Sequence, residues 1–264
     1  MAKRNQEAKK QKTIKYGTEK AKEYLDTIDC LRKNRPRIEE KERQSDILFI
    51  TGCTSDKDGR DGELPAFERY VGGASVGILK FFSKFVEEKK RPFDLYVLSA
   101  GYGFIPAEAD IQKYDISFNN VDAKLRSEMA QSRHLNLSAD FRSLLEKKYK
   151  LIILRLGPKY IDALNKAVKN DNVKFYELPN ETHVFYLKPK STDQILFQAK
   201  STQTHSIKPL EIYGSEVKKI SGSKLLNDAQ DSLWCKFFDK NQCMSTDEII
   251  QKINDAKNVE DLLK

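Results

Sequence analysis

Residues 93–118 read FDLYVLSAGYGFIPAEADIQKYDISF, and the way this stretch begins decides the fold. Asp94 to Ser99 is a short apolar and aromatic run, the pattern of a buried strand, and it ends in Ser99, Ala100, Gly101, Tyr102 and Gly103. A strand therefore runs into a glycine-bearing loop. Gly101 and Gly103 allow backbone dihedrals that other residues avoid and let another molecule approach the main chain closely. Pro106 stiffens the path, and Glu108, Asp110 and Asp115 bring three carboxylates to one connection. A connection of roughly a dozen residues in a compact domain is usually functional or disordered. Tyr102, Phe104, Tyr114 and Phe118 argue for order, because a solvated segment has little use for aromatic rings. The plain alternative is an ordinary link with surface acids.

Upstream, ILFIT (47–51) is a second strand that runs into GCTSDKDGRDGE (52–63). Cys53, Ser55, Lys57, Gly59, Arg60 and Gly62 combine permissive backbone, hydroxyl donors and cations, a mixture that can cradle an anion. Neither GxxxxGK[ST] nor GxGxxG is present there, which disfavours nucleoside triphosphate and dinucleotide chemistry. Residues 65–90 carry a broad apolar face at helical spacing, so the order is strand, helix, strand. A crossover of that length makes a right-handed parallel pair, with both loops emerging at the carboxyl ends of neighbouring strands, where open α/β sheets bind ligands. The two loops are expected to line one crevice.

Downstream, residues 122–148 read as one long or two short helices, LIILRLG (151–157) as a buried strand, and PKYIDALNKAVK as a helix opened by Pro158. VKFYEL (173–178) is a further strand. This alternation over 46–178 predicts a three-layer α/β domain with a mainly parallel central sheet. Residues 183–187 and 195–199 alternate like strands, 211–220 are ambiguous, and two short helices begin near Thr246, behind the Ser245 start signal, and Lys257. The chain divides into a basic arm and helix over 1–45, an α/β core over 46–200 and a helical C-terminal extension over 201–264 packed on the core. Within the first part, a helix is expected over 18–33, stopped by Pro36, and Met1 to Tyr16 reads as a solvated basic arm.

The formal net charge of +8 and a pI of about 9.1 favour an anionic partner such as nucleic acid or an acidic membrane surface. Lys9, Lys10, Lys12 and Lys15 could lie along phosphates, with Lys57 and Arg60 as further DNA contacts. Cysteines 30, 53, 235 and 243 follow no zinc-ligand spacing, and neither do His134, His183 and His205, so no metal or cofactor is expected. The cysteine pattern fits a reducing cytoplasm, and no apolar run approaches the length of a membrane span. Cys53 could be a nucleophile, but without a histidine nearby in sequence it reads rather as a packed small residue. Trp234, near Phe237 and Phe238, reads as part of a satellite core rather than a stacking wedge.

Cys53 with Lys57 after the first strand, then Ser99, Ala100, Gly103, Phe104, Ile105, Pro106, Tyr114 and Asp115, resemble a family of bacterial and phage proteins related to the peroxide-stress YaaA proteins. Its pattern is a strand, Cys-x-x-x-Lys, Ser-Ala-x-x-Gly-hydrophobic-hydrophobic-x-Pro and a later Tyr-Asp, except that here Pro106 follows Ile105 directly. Gly101 stands where relatives often place a lysine or arginine. That resemblance implies DNA binding. LIILRLGPKYIDAL followed by VKFYELPNETH is more loosely similar to uracil-DNA glycosylase-like domains, which implies a DNA-contacting loop at Pro179, Asn180, Glu181, Thr182 and His183, without their His-Pro-Ser run. Together the two likenesses imply a DNA glycosylase that extrudes a base, and resemblance to phage-associated families further implies a modified base of foreign DNA, removed in antiviral defence. Asp115, then Asp110, would be the catalytic carboxylates; Tyr102, Phe104 and Tyr114 would stack the extruded nucleotide; Cys53, Ser55, Lys57, Ser99, Gly101 and Gly103 would complete the substrate site. A DNA-binding module without turnover and an enzyme acting on a free nucleoside or nucleotide are the alternatives.

Overall fold

The computed structural model describes residues 13–35, 38, 42–54, 57–71, 93–171, 174–179, 181–189, 194–199, 207–212 and 226–264. The expected helix over 65–90 falls outside the described residues beyond position 71, as do Lys9, Lys10, Lys12, Ser55 and His205.

In chain order the described elements are α1 (Glu19–Arg32), β1 (Ile47–Gly52), β2 (Leu64–Pro65), the single-turn α2 (Ala66–Arg69), β3 (Asp94–Ser99), β4 (Gly103–Pro106) and β5 (Asp110–Ile111). Then come α3 (Ala123–Met129), α4 (Leu137–Glu146), β6 (Leu151–Arg155), α5 (Pro158–Asn170), β7 (Tyr176–Leu178), β8 (His183–Pro189), β9 (Phe197–Ala199), β10 (Ile207–Ile212), α6 (Leu226–Lys240) and α7 (Thr246–Asp255). The central sheet has six strands in the order β10-β8-β6-β1-β3-β4. Every neighbouring pair is parallel except β3 and β4. The three-layer, mainly parallel α/β architecture expected from the alternation is the one observed.

Register explains the layers. Phe49, Ile153 and Phe185 stand side by side on β1, β6 and β8. Trp234 of α6 closes on this row, its ring edge-on to Phe49 at 5.8 Å and to Phe185 at 5.3 Å, with Phe237 and Phe238 beside it. The tryptophan is wholly buried, so it belongs to the main core and not to a satellite. On the opposite face Gly52 meets the Tyr160 ring of α5, and Phe104 of β4 stacks on Phe141 of α4 with ring centroids 5.3 Å apart. An added side chain at Gly52 would stand 3.2 Å from that tyrosine, so the close helix–sheet approach depends on glycine there.

Two expectations need correction. The stretch after Ser99 is not one long loop, because Gly103–Pro106 turns back as an antiparallel edge strand with Ser99 opposite Gly103. Gly103 has φ +77°, and a side chain there would stand 2.9 Å from the Leu135 carbonyl, so the reversal needs a glycine. The strand read at 173–178 leaves the central sheet: β7 pairs with β9 in a separate ribbon, held by the buried Tyr176 ring against Phe141 and Phe197. β8 takes the place beside β6 instead.

Candidate functional site

The loops after β1 and β3 do meet, but what they enclose is protein. Ser99 Oγ accepts the backbone N–H groups of Gly101 and Tyr102 at 3.1 and 3.0 Å, which shapes the turn, and lies 2.7 Å from the Tyr114 hydroxyl. Tyr114 in turn bonds Tyr70 at 2.8 Å. Cys53 Sγ lies 3.2 Å from the Tyr160 hydroxyl, which donates to the Cys53 carbonyl at 2.7 Å, while Ala100 N–H reaches the sulfur at 3.5 Å. Burial first, and the neighbouring Cys53 second, push the phenols of Tyr70, Tyr114 and Tyr160 well above the ordinary tyrosine range. All three are neutral hydroxyls at ordinary pH.

Lys57 seals this cluster from above. Its ammonium sits 4.4 Å from the centre of the Tyr114 ring and donates to the Ile116 carbonyl at 3.4 Å, while Gly101 covers another side of the ring. The lysine therefore braces the segment on either side of Asp115. Arg60 is spent in a similar way, bonded to Asp58 at 2.9 Å and to Glu68 at 3.2 Å. The Arg60 guanidinium holds the Asp58 carboxyl below its usual range. Beneath both, the fully buried Arg69 gathers the carbonyls of Asp58, Arg60 and Gly62. Sequence alone offered Lys57 and Arg60 as phosphate contacts; the structure uses both to hold loops.

The aromatics are also placed differently from the expectation. Tyr102, Phe104 and Tyr114 are 3%, 0% and 6% exposed, so their faces lie against protein and none offers a platform to a ligand. Tyr102 also spends its hydroxyl as acceptor for the Gln112 N–H. Cys53 is buried against Tyr160, the packed small residue that its surroundings in sequence suggested. Of the loop read at 179–183, Asn180 lies outside the described residues, and His183 is in register with Leu151 at the start of β6, so the described loop residues lie at the amino ends of the parallel strands, away from Cys53 and Ser99. Its Thr182 hydroxyl donates to Tyr149, and Glu181 sits at φ +66°.

What remains open is a pocket of about 560 Å³ lined by Thr13, Ile14, Lys15, Thr18, Lys20, Tyr24, Asp115 and Asn120. Asp115 is exposed, and among the described residues its carboxylate takes no hydrogen bond or ion pair. It helps burial raise the Tyr24 phenol above its ordinary value. Asp115 is also the acid among the described lining residues; Asp110, on the β2–β5 ribbon opposite Pro65, does not join it. The opposite wall is the end of the basic arm, whose Thr13, Lys15 and Tyr16 side chains are exposed while its backbone is docked. Ile14 N–H donates to the Asn120 carbonyl at 2.9 Å and the Ile14 carbonyl accepts from Asp122 at 3.0 Å, laying residues 13–16 along the segment that follows Asp115. Below, the buried Arg126 fixes that segment through the carbonyls of Phe118 and Val121 and a 2.6 Å ion pair with Asp162.

Lys15 and Asp115 were thus read from the sequence and meet in one cavity. Thr13, Thr18, Tyr24 and Asn120 were not singled out. Thr18 carried a signal, as the capping residue of α1 that accepts the Ala21 N–H. Tyr24 recurs at helical spacing with Leu25, Ile28 and Leu31, which marks it as an ordinary member of a buried face, and pairing through a single bridge leaves no periodicity by which the docking of Ile14 could be read. Among the described residues no three His, Cys, Asp or Glu side chains are grouped so as to hold a metal ion, and no helix is long and apolar enough to cross a membrane. Comparison with protein-family models, curated proteins and solved structures finds no match, so the chain's function is read from its own residues.

Proposed function

We propose that the chain is a DNA glycosylase whose pocket between the basic arm and Asp115 receives an extruded nucleotide. The observation that carries this is the exposed Asp115 carboxylate, unpaired among the described residues, in a cavity of about 560 Å³ whose other charged lining residues among those described are Lys15 and Lys20. That volume lies within the usual range for small-molecule sites, roughly 300–1,000 Å³. A carboxylate opposite two lysines suits a ligand that is anionic at its phosphates and becomes cationic at its sugar. In the reaction the bond between C1′ and the base nitrogen breaks, and its electron pair leaves with the base. Asp115 stabilises the positive charge that develops on the sugar and takes a proton from the water that bonds to C1′; the released base acquires a proton. Lys15 and Lys20 hold the flanking phosphates, and Lys57, Ser99 and Arg126 keep the Asp115 segment in place. A modified base in foreign DNA, removed in antiviral defence, is the substrate this proposal favours.

A second reading is favoured by the burial of Tyr102, Phe104 and Tyr114: a DNA-binding module of the YaaA type that extrudes no base. One experiment separates the two. Purified protein is incubated with unmodified and phage-modified DNAs and released bases are sought by mass spectrometry. The glycosylase reading expects release by the wild type and none by Asp115→Asn, with DNA retention intact in both. Salt-dependent retention without any released base establishes the module instead.

A further inference from the structure

Among the described lining residues the aromatic one is the buried Tyr24, yet a second aromatic side chain stands beside the pocket. Among the described residues the large hydrophobic side chains left exposed are Tyr16 and Met244, each 38% accessible. Tyr16 is presented by a built turn. The Lys15 carbonyl accepts both the N–H of Thr18 at 3.3 Å and its hydroxyl at 2.8 Å, so Tyr16 and Gly17 occupy the corner. Gly17 has φ +83°, the third-position requirement of a type II turn. Tyr16 N–H donates to Asp122 Oδ2 at 3.0 Å, which ties the corner to the start of α3. The ring has Lys124 Nζ 4.4 Å from its centre, and its chain neighbours Lys15 and Thr18 line the Asp115 pocket.

We infer that Tyr16 is a stacking platform for a nucleobase next to the one that enters the pocket, with Lys15, Lys20 and Lys124 around it as contacts for the connecting phosphates. This rests on the nucleic-acid reading given above and adds the strand's path: from the pocket, over the corner of the arm, towards the start of α3. The chemistry favours a polynucleotide. All three lysines are exposed, and the nearby Asp122 carboxylate is already committed to the N–H groups of Tyr16 and Leu125. Base–aromatic stacking tolerates any base because each has a π face, whereas the lysines supply the salt-dependent part of the affinity.

The test is fluorescence anisotropy of the full chain with a labelled single-stranded oligonucleotide and with the same oligonucleotide carrying abasic spacers. Tyr16→Phe keeps the ring and is expected to bind like the wild type. Tyr16→Leu keeps apolar bulk without a π face and is expected to bind about tenfold more weakly or worse. On the abasic oligonucleotide the wild type and Tyr16→Leu should be equal, because no base remains to stack. Circular dichroism of each variant checks that the fold is kept, as expected for an exposed side chain. If the wild type binds and Tyr16→Leu binds as tightly, or loses equally on both oligonucleotides, the platform is wrong while the pocket reading stands. A wild type that binds no oligonucleotide overturns both.

Discussion

Gly101→Ala isolates the contact on which the Asp115 segment depends. A methyl group at position 101 would stand 2.8 Å from two ring carbons of Tyr114 and 3.1 Å from Leu31 Cδ1. Carbon atoms pack at about 3.5–4.0 Å, so the ring must retreat by roughly 0.7–1 Å. It has nowhere to go without loss: Lys57 lies over it, and its hydroxyl is tied to Ser99 at 2.7 Å and to Tyr70 at 2.8 Å, so such a shift weakens or breaks both bonds. Overpacking costs about 1–3 kcal/mol, and two buried hydrogen bonds contribute about 0.5–1.5 kcal/mol each. Alanine returns about 0.4–1 kcal/mol through the unfolded chain, since Gly101 does not sit at positive φ. The net expectation is a destabilisation of about 1–5 kcal/mol, or a fall in Tm of roughly 2–20 °C for a chain of this size. Trp234, the only tryptophan and wholly buried, reports the transition in a urea titration followed by fluorescence. If Gly101→Ala unfolds at the wild-type midpoint or above it, Tyr114 is not packed against the Gly101 backbone, and the account of how the Asp115 segment is held fails with it.

Tyr114→Phe leaves the buried Tyr70 hydroxyl without this partner and should cost about 1–3 kcal/mol, whereas adding Tyr70→Phe should recover part of the loss; a strictly additive double variant in urea titrations would count against the hydroxyl chain. Arg126→Met removes the buried donor from the Phe118 and Val121 carbonyls, while the partly exposed Asp162 keeps Lys166 at 3.9 Å, so the expected loss is about 1–3 kcal/mol for each carbonyl left without a partner, checked by thermal unfolding. Because the phenols of Tyr70, Tyr114 and Tyr160 are raised in the folded chain, the stability they bring is full below about pH 10 and is lost as pH rises through their folded values. Ultraviolet titration should therefore show these phenolates appearing only together with loss of the Trp234 signal. Asp122 works in the other sense: its carboxyl is lowered chiefly by the Leu125 N–H and also by the Tyr16 N–H, so its contribution is present above about pH 4 and disappears as pH falls through the lowered value. Limited proteolysis should then cut the arm near Tyr16 faster in acid than at neutral pH, and Asp122→Ala should remove that pH dependence.

The sequence determined the layers. Apolar runs at 47–51, 94–99 and 151–155, separated by stretches of helical periodicity, require parallel strands covered on both faces, and two of those runs end in loops because glycine and polar residues follow them. It also singled out Asp115 and Lys15, which line one cavity in the structure. The course of the chain after Ser99 was not legible, because GFIP reads equally well as loop or as short edge strand until Gly103 is seen at positive φ against the Leu135 carbonyl. Nor could sequence tell a ring that awaits a ligand from one that fills a core: Tyr102, Phe104 and Tyr114 lie within one loop motif, and only packing against Phe141, Gly101 and Lys57 decides that they face inward. Tyr16 and the docked arm are the converse case. Their position follows from a few backbone hydrogen bonds to residues 120–122, more than a hundred positions away, and contacts of that range leave no periodic trace in the chain that makes them.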